Sequence, residues 1–296
     1  MIKALQPSLV VFFSASAIGF TAEPRIVRTP LVLKAGGTPE KQAVFDGQGM
    51  VIDLGIDVTE QDWTKQGDVW TSRGPLFDRK PIAAGQLAGM FIDEVPLSIA
   101  RDPIAERAAP AEKRGYCYLA PDQLEPGQMG YADDGSFYFR WPKHKSPGSA
   151  RVILPPKPGT SCVAFACSYI TVRNVTAMHA ANDGFNIHGR WVGIRLENVR
   201  ALSNADEGIS AHDDTQVDVD GAEIAWNGST AGGVADVNRC TTSYRNCRVH
   251  DNPAGAFTFT GKSHSVRDTL IYNEPKDFSI AAGTQVVREN VEWKRD

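Results

Sequence analysis

Three lines in the middle of the chain hold the residue types that move protons. They read Asn182-Asp183-Gly184-Phe185-Asn186-Ile187-His188-Gly189, then Asp206-Glu207-Gly208-Ile209-Ser210-Ala211-His212-Asp213, then Thr230-Ala231-Gly232-Gly233-Val234-Ala235-Asp236-Val237. Gly184, Gly208 and Gly232 are spaced 24 residues apart, and His188, His212 and Asp236 repeat at the same interval. Imidazole is the side chain whose charge changes nearest neutral pH, so recurring histidines beside carboxylates point to general acid–base chemistry.

The elements that must position these groups follow from the period. A fixed repeat in the twenties is the mark of a stacked solenoid, in which each repeat buries its apolar face against its neighbours. No leucine ladder is present, and the apolar residues alternate: Phe185 and Ile187, Ile209 and Ala211, Ala235 and Val237, Phe257 and Phe259. Alternation is strand periodicity with one face buried. The expected fold class is all-β, a right-handed parallel β-helix of about 24 residues per coil, with five to six coils over 163–293. Asn174, Asn198 and Asn246 form one asparagine series, and Asn204, Asn252 and Asn273 a looser one. Asparagine tolerates left-handed backbone and suits stacked corners.

With Phe185 and Ile187 inward, Asn186, His188 and Arg190 point outward. The next coil presents Ser210, His212 and Asp214, and the third Val234, Asp236 and Asn238. Stacked strands lie about 4.8 Å apart. His188, His212 and Asp236 are therefore expected to form one solvent-facing column, flanked by Arg190, Asp214 and Asn238.

The remainder of the chain reads as follows. A net charge of −4 carries no sign of nucleic-acid binding, and 42% hydrophobic with 22% charged residues is ordinary for a globular protein. Residues 1–22, with Lys3 ahead of the apolar run 9–20, read as a secretory signal, too short to span a bilayer. A secreted or periplasmic protein without a membrane span, a monomer, is the expectation. Residues 23–60 read as an N-terminal cap and first coil. Over 61–157 the period is lost; strand candidates at 69–72, 87–92, 97–100, 136–141 and 151–154, separated by turn signals, suggest an antiparallel, sandwich-like insert. Residues 105–114 are a short helix or loop. Residues 158–296 return to the coil pattern, ending in a strand at 286–293. Of the five cysteines, Cys162/Cys167 and Cys240/Cys247 are local pairs that export permits, while burial as small apolar residues suits most of them.

The repeats and glycine corners over roughly 160–290 resemble the pectate-lyase-like β-helix superfamily of carbohydrate-active enzymes. Many of those enzymes carry a β-sandwich insert after the first coil. Locally, Asp183-Gly184-Phe185-Asn186-Ile187-His188 followed by Glu207-Gly208-Ile209-Ser210-Ala211-His212 is similar to mannuronan C5-epimerases, which carry Tyr-Gly-Phe-Asp-Pro-His and then Asp-Gly-Phe-x-x-Asp. His188 falls on that family's catalytic histidine. Asn186 stands where the family has an Asp, Asp183 where it has a Tyr and His212 where it has a second Asp. The resemblance therefore implies the fold and the place of the cleft, not the alginate substrate.

The leading expectation is a polysaccharide lyase or C5-epimerase acting on an acidic, uronate-containing polysaccharide by proton abstraction. In it, His188 is the base, His212 the acid, Asp236 the group orienting His212, and Arg190 the clamp on the sugar's carboxylate. Asp183, Asn186, Trp191, Asp213, Asp214, Asn238 and Lys262 are the candidate substrate-binding residues. The alternative is a glycoside hydrolase on the same wall, using two carboxyl groups drawn from Asp183, Glu207, Asp213, Asp214 and Asp236. A non-catalytic carbohydrate-binding or adhesin β-helix is the third class. No cofactor is required. Ca²⁺ is a candidate at Asp206, Glu207, Asp213 and Asp214, where hard oxygen ligands gather. Two His and one Asp in a column also match a two-His-one-carboxylate metal site, although stacked parallel strands splay their side chains less than ligands need. Trp226 is expected at a coil corner, and Trp141, His144 and Lys145 on a cleft wall. His179, His250 and His264 are expected at turns or on the surface.

Overall fold

The computed structural model describes residues 23–60, 63–72, 89–110, 117–132, 136–146, 148–156, 159–228 and 231–294. The signal expected at 1–22 lies outside the described residues. So do parts of the turns expected at 133–136 and 155–159.

The chain is a parallel β-solenoid. One wall is a seven-stranded sheet of short strands: Leu31–Leu33, Val163–Phe165, Phe185–Ile187, Ile209–Ala211, Val234–Asp236, Phe257–Phe259 and Phe278–Ile280. Every pairing in it is parallel. An eleven-stranded sheet forms the rest of the circumference. In some coils one long strand, such as Ile170–Met178 or Ser263–Tyr272, crosses a corner. In others the same path is cut into two, as in Ile194–Glu197 and Arg200–Leu202.

The corner falls where the backbone turns left-handed, whether or not the strand is cut there. Asn174, Asn198 and Asn246 have φ of 56°, 49° and 55°. Their amides bond along the stack: Asn198 Nδ2 donates to Asn174 Oδ1 at 2.8 Å, Asn174 Nδ2 to Asp46 Oδ1 at 2.9 Å and Asn246 Nδ2 to Asp220 Oδ1 at 2.7 Å. The second series is altered. Inside the coil, Asn204, Asn227 and Asn252 form a buried ladder that ends on Glu274. Asn273 is instead an exposed corner residue bonded to Asp251. Alternate inward residues fill the interior: Phe185, Ile187, Ile209, Ala211, Val234, Phe257 and Phe259 are all at most 1% exposed and share one core.

The insert is two small sheets over one core. The larger runs Trp63–Gln66, Val69–Ser72, Phe137–Arg140, Gln128–Tyr131 and Ser98–Ile99; the smaller runs Ile56–Asp57, Val152–Leu154, Phe91–Ile92 and Val95–Pro96. All pairings are antiparallel except that of Ser98–Ile99 with Gln128–Tyr131. Phe137, Phe139 and Met129 of the larger sheet meet Ile92, Val152 and Leu154 of the smaller. Because Ile56–Asp57 pairs with Val152–Leu154, this unit begins before residue 61. The element around 105 is a helix, Pro103–Ala108, capped by Asp102. No helix among the described residues is long and apolar enough to cross a membrane.

The insert docks on one solenoid corner. Phe91 and Ile153 pack on Ala205, and the Ser203 hydroxyl donates to Glu94 O at 2.6 Å. His179 lies beneath, edge-on to Phe91 at 5.2 Å and bonded to Asp53 at 2.8 Å. His179 sits at a left-handed bend, φ 59°, and His250 and His264 lie in strands; all three are buried, at 1%, 4% and 2% exposure, and not on the surface. Cys162, Cys167, Cys240 and Cys247 are buried free thiols, so neither local disulfide forms.

Candidate active site

The repeat does not step evenly. It moves 24 residues from Phe185 to Ile209, 25 from Ile209 to Val234 and 23 from Val234 to Phe257. The first step stacks His188 over His212 as expected. The second, one residue longer, reverses which residues of the next strand face inward. Asp236 therefore stands in register with Ala211, not His212, and is fully enclosed in the coil. The solvent-facing column of two histidines and one aspartate is corrected to a pair of histidines. Asn238 likewise moves beside Asp213, at 3.3 Å, and the residue beside Asp214 is Arg239, whose fork engages both carboxylate oxygens at 2.6 and 2.7 Å.

The same 24-residue step that stacks the histidines also stacks Asp183 on Glu207. An oxygen from each of Asp183, Asp206 and Glu207 lies within 4.8 Å of the others. This is the arrangement that sequence reasoning missed, although the spacing of Asp183 and Glu207 carried it. Carboxyl groups this close oppose each other's ionisation, so they do not all lose their protons together. Burial pushes Asp183 up to about 7, Asp206 to about 8 and Glu207 to about 9, with the neighbouring carboxyls adding to the rise. Two amides hold Asp183 Oδ2: Asn186 Nδ2 at 2.6 Å and Asn182 Nδ2 at 3.0 Å. Asp206 is the half-exposed member; Asp183 and Glu207 are buried.

Glycine is required where these coils meet. A Cβ on Gly184 would lie 2.7 Å from Gly208 O and 2.8 Å from Asn204 Nδ2, so only glycine lets the acidic corner sit on the coil below.

The acids run into the histidines. His188 Nε2 is 3.7 Å from Asp183 Oδ2 and 3.2 Å from Ser210 Oγ. The rings of His188 and His212 stack 3.8 Å apart, 10° from parallel. Burial and the neighbouring ring lower His188 to about 4, and burial lowers His212 as well. Both are neutral at neutral pH. Asp206, Glu207, Asp183, Asn186, His188 and His212 thus form one continuous polar strip crossing two coils.

Other expected site residues lie apart from it. Arg190 is 88% exposed and 3.9 Å from Asp214, in a cationic edge completed by Arg239 and the exposed Lys262. Asp213 and Asp214 do not join Asp206 and Glu207, so the four-acid Ca²⁺ set is replaced by Asp183, Asp206 and Glu207 as the group whose oxygens converge. Trp191 packs against the core with its indole nitrogen buried, and Trp226 occupies a left-handed corner at φ 57°. Trp141 packs in the insert on Phe139 and Trp70, and Lys145 pairs with Asp93.

No family model and no curated protein matches the chain. Two solved structures are similar to the chain. One is a glycoside hydrolase, with a TM-score of 0.48 at 11% identity over 90% of this chain and 87% of that one. The other is XylC in complex with xylose, with a TM-score of 0.46 at 12% identity over 92% of this chain and 59% of that one.

Proposed function

We propose that the protein is a carbohydrate-active enzyme that hydrolyses glycosidic bonds at the Asp183–Asp206–Glu207 and His188–His212 strip. The observation that carries this is the convergence of three carboxyl groups that cannot all ionise, beside an imidazole held neutral. Glycoside hydrolysis needs one carboxylic acid to protonate the leaving oxygen and a second group to activate water. Asp206, half exposed and holding its proton to about 8, is the acid. Glu207 behind it is the proton reserve. With its proton on Nε2, towards Ser210 and Asp183, His188 has Nδ1 free to accept the proton of the attacking water. Asp183 then faces the imidazolium and stabilises it, a role in which the amides of Asn182 and Asn186 favour its ionised form. Water adds to the anomeric carbon, the glycosidic bond breaks, and solvent returns the proton from His188 to Asp206.

A second reading keeps uronate proton abstraction by His188, with lyase or epimerase outcome. Its motive is the cationic edge of Arg190, Arg239 and Lys262 beyond His212, which can hold an acidic sugar. One experiment separates the two: incubate the protein with neutral and uronate polysaccharides. New reducing ends without ultraviolet absorbance mark hydrolysis. An absorbing, unsaturated product marks a lyase, and a changed uronate composition without cleavage marks an epimerase.

A further inference from the structure

Asp236 is a buried acid that this chemistry does not use. It occupies a column that is Ile187, Ala211 and Phe259 in the coils around it. A carboxyl group there is costly unless donors meet it. Three do. Ala211 N–H donates to Oδ1 at 3.2 Å; the Thr242 and Tyr244 hydroxyls donate to Oδ2 at 2.7 and 3.0 Å. Thr242 Oγ1 is also 2.7 Å from His264 Nδ1, and since the threonine proton goes to Asp236, His264 is the donor in that bond. The thiols of Cys240 and Cys247 are further titratable groups that act on this network, through Tyr244. All of these side chains are buried. The network therefore meets no substrate.

What it does meet is the strand behind the histidine pair. Ala211 immediately precedes His212, whose own N–H donates to Ile187 O at 3.0 Å. Ile209 seats the start of this strand in the core, whereas Ala211, next to His212, offers only a methyl group to the interior. The carboxyl oxygen of Asp236 gives it a directional anchor. We propose that Asp236 is a positioning residue that fixes His212, and through the stacked rings His188, from inside the coil. The proposal rests on the reading of the histidine pair as part of the active strip. Groups that act in a reaction must be held to fractions of an ångström by supporting contacts, and Asp236 is such a support.

The test uses the full chain labelled at histidine, with ring signals of His188 and His212 followed by NMR against pH. Asp236→Asn retains an oxygen for Ala211 N–H; Asp236→Leu removes it at similar volume. The expected result is that the Leu variant moves the titration of both histidines up towards ordinary values while the Asn variant stays near wild type. With a turned-over glycan, kcat falls about tenfold in the Leu variant at unchanged KM, and the Asn variant recovers most of it. Should the Leu variant fail to fold, Thr242→Val, which removes one donor from the opposite oxygen, decides. Shifted His212 ring signals support the proposal, and wild-type signals overturn it. A folded Leu variant with wild-type histidine titration also overturns it. Because the titration needs no substrate, its outcome is separate from that of the hydrolase reading, which fails only in the glycan assay.

Discussion

His188 and His212 stack face to face, 3.8 Å between ring centres, on consecutive coils. Two imidazoles at that distance oppose each other's protonation, and burial adds to the effect. His188 is held down to about 4 and His212 is lowered too. A histidine whose folded pKa is depressed contributes stability above its unfolded value of about 6.5, which is lost as pH falls towards the folded value. Replacing His212 with Ala should raise the titration of His188 by removing one of its two depressing causes. NMR titration of the His188 ring checks this; an unchanged midpoint would show that the stack plays no part.

The acid trio works in the opposite direction. Asp183, Asp206 and Glu207 keep their protons in the folded chain long after the unfolded chain has lost them, so stability falls as pH rises from about 4 to 9. Glu207→Gln removes the member that ionises last. Its melting temperature should match wild type near pH 4 and exceed it by about 4 °C or more at pH 9, at the expense of activity. Equal melting curves at both pH values would mean that the cluster is not under this strain.

The interior ladder carries a stability prediction. Asn227 Nδ2 donates to Ala201 O at 2.8 Å, and its Oδ1 accepts from Asn204 N and Nδ2 at 3.0 and 2.8 Å. Asn227→Ala leaves those groups buried without partners and should cost about 4 kcal/mol in denaturant unfolding. A loss below about 1 kcal/mol would contradict the ladder.

Arg190 should matter little for stability. At 88% exposure and 3.9 Å from Asp214 its ion pair is a surface one, and Arg190→Lys should change unfolding by less than about 0.5 kcal/mol. Under the uronate reading the same variant raises KM for acidic glycans alone, because an ammonium replaces a planar fork. Equal KM on acidic and neutral chains would remove Arg190 from recognition.

The solenoid was legible because Gly184, Gly208, His188 and His212 repeat at the true spacing of the coils, and the alternation of Phe185 with Ile187 names the buried face. The corner series Asn174, Asn198 and Asn246 was legible for the same reason. Asp236 was misplaced because a one-residue lengthening between Ile209 and Val234 leaves the glycine spacing intact, through the paired Gly232-Gly233, while inverting the strand. Trp226-Asn227 hid the middle rung of the interior ladder because its spacing from Asn204 is 23, not 24. Glu207 stood with Asp183 in one expected set and with Asp206 in another, and only the fold in space shows that the three converge. His179 read as a turn or surface group because the insert that covers it is remote in sequence, while His250 and His264 are covered by Tyr272 and Phe259 of the solenoid.

In the proposed reaction the acid trio and His188 together cleave a glycosidic bond. The direct measurement is product analysis on a panel of neutral and acidic polysaccharides, with wild type beside Asp206→Asn and Glu207→Gln. New reducing ends without an unsaturated product are expected, with a loss of roughly a hundredfold or more in kcat for Asp206→Asn. An unsaturated product, or near wild-type turnover in Asp206→Asn, would contradict the proposed reaction.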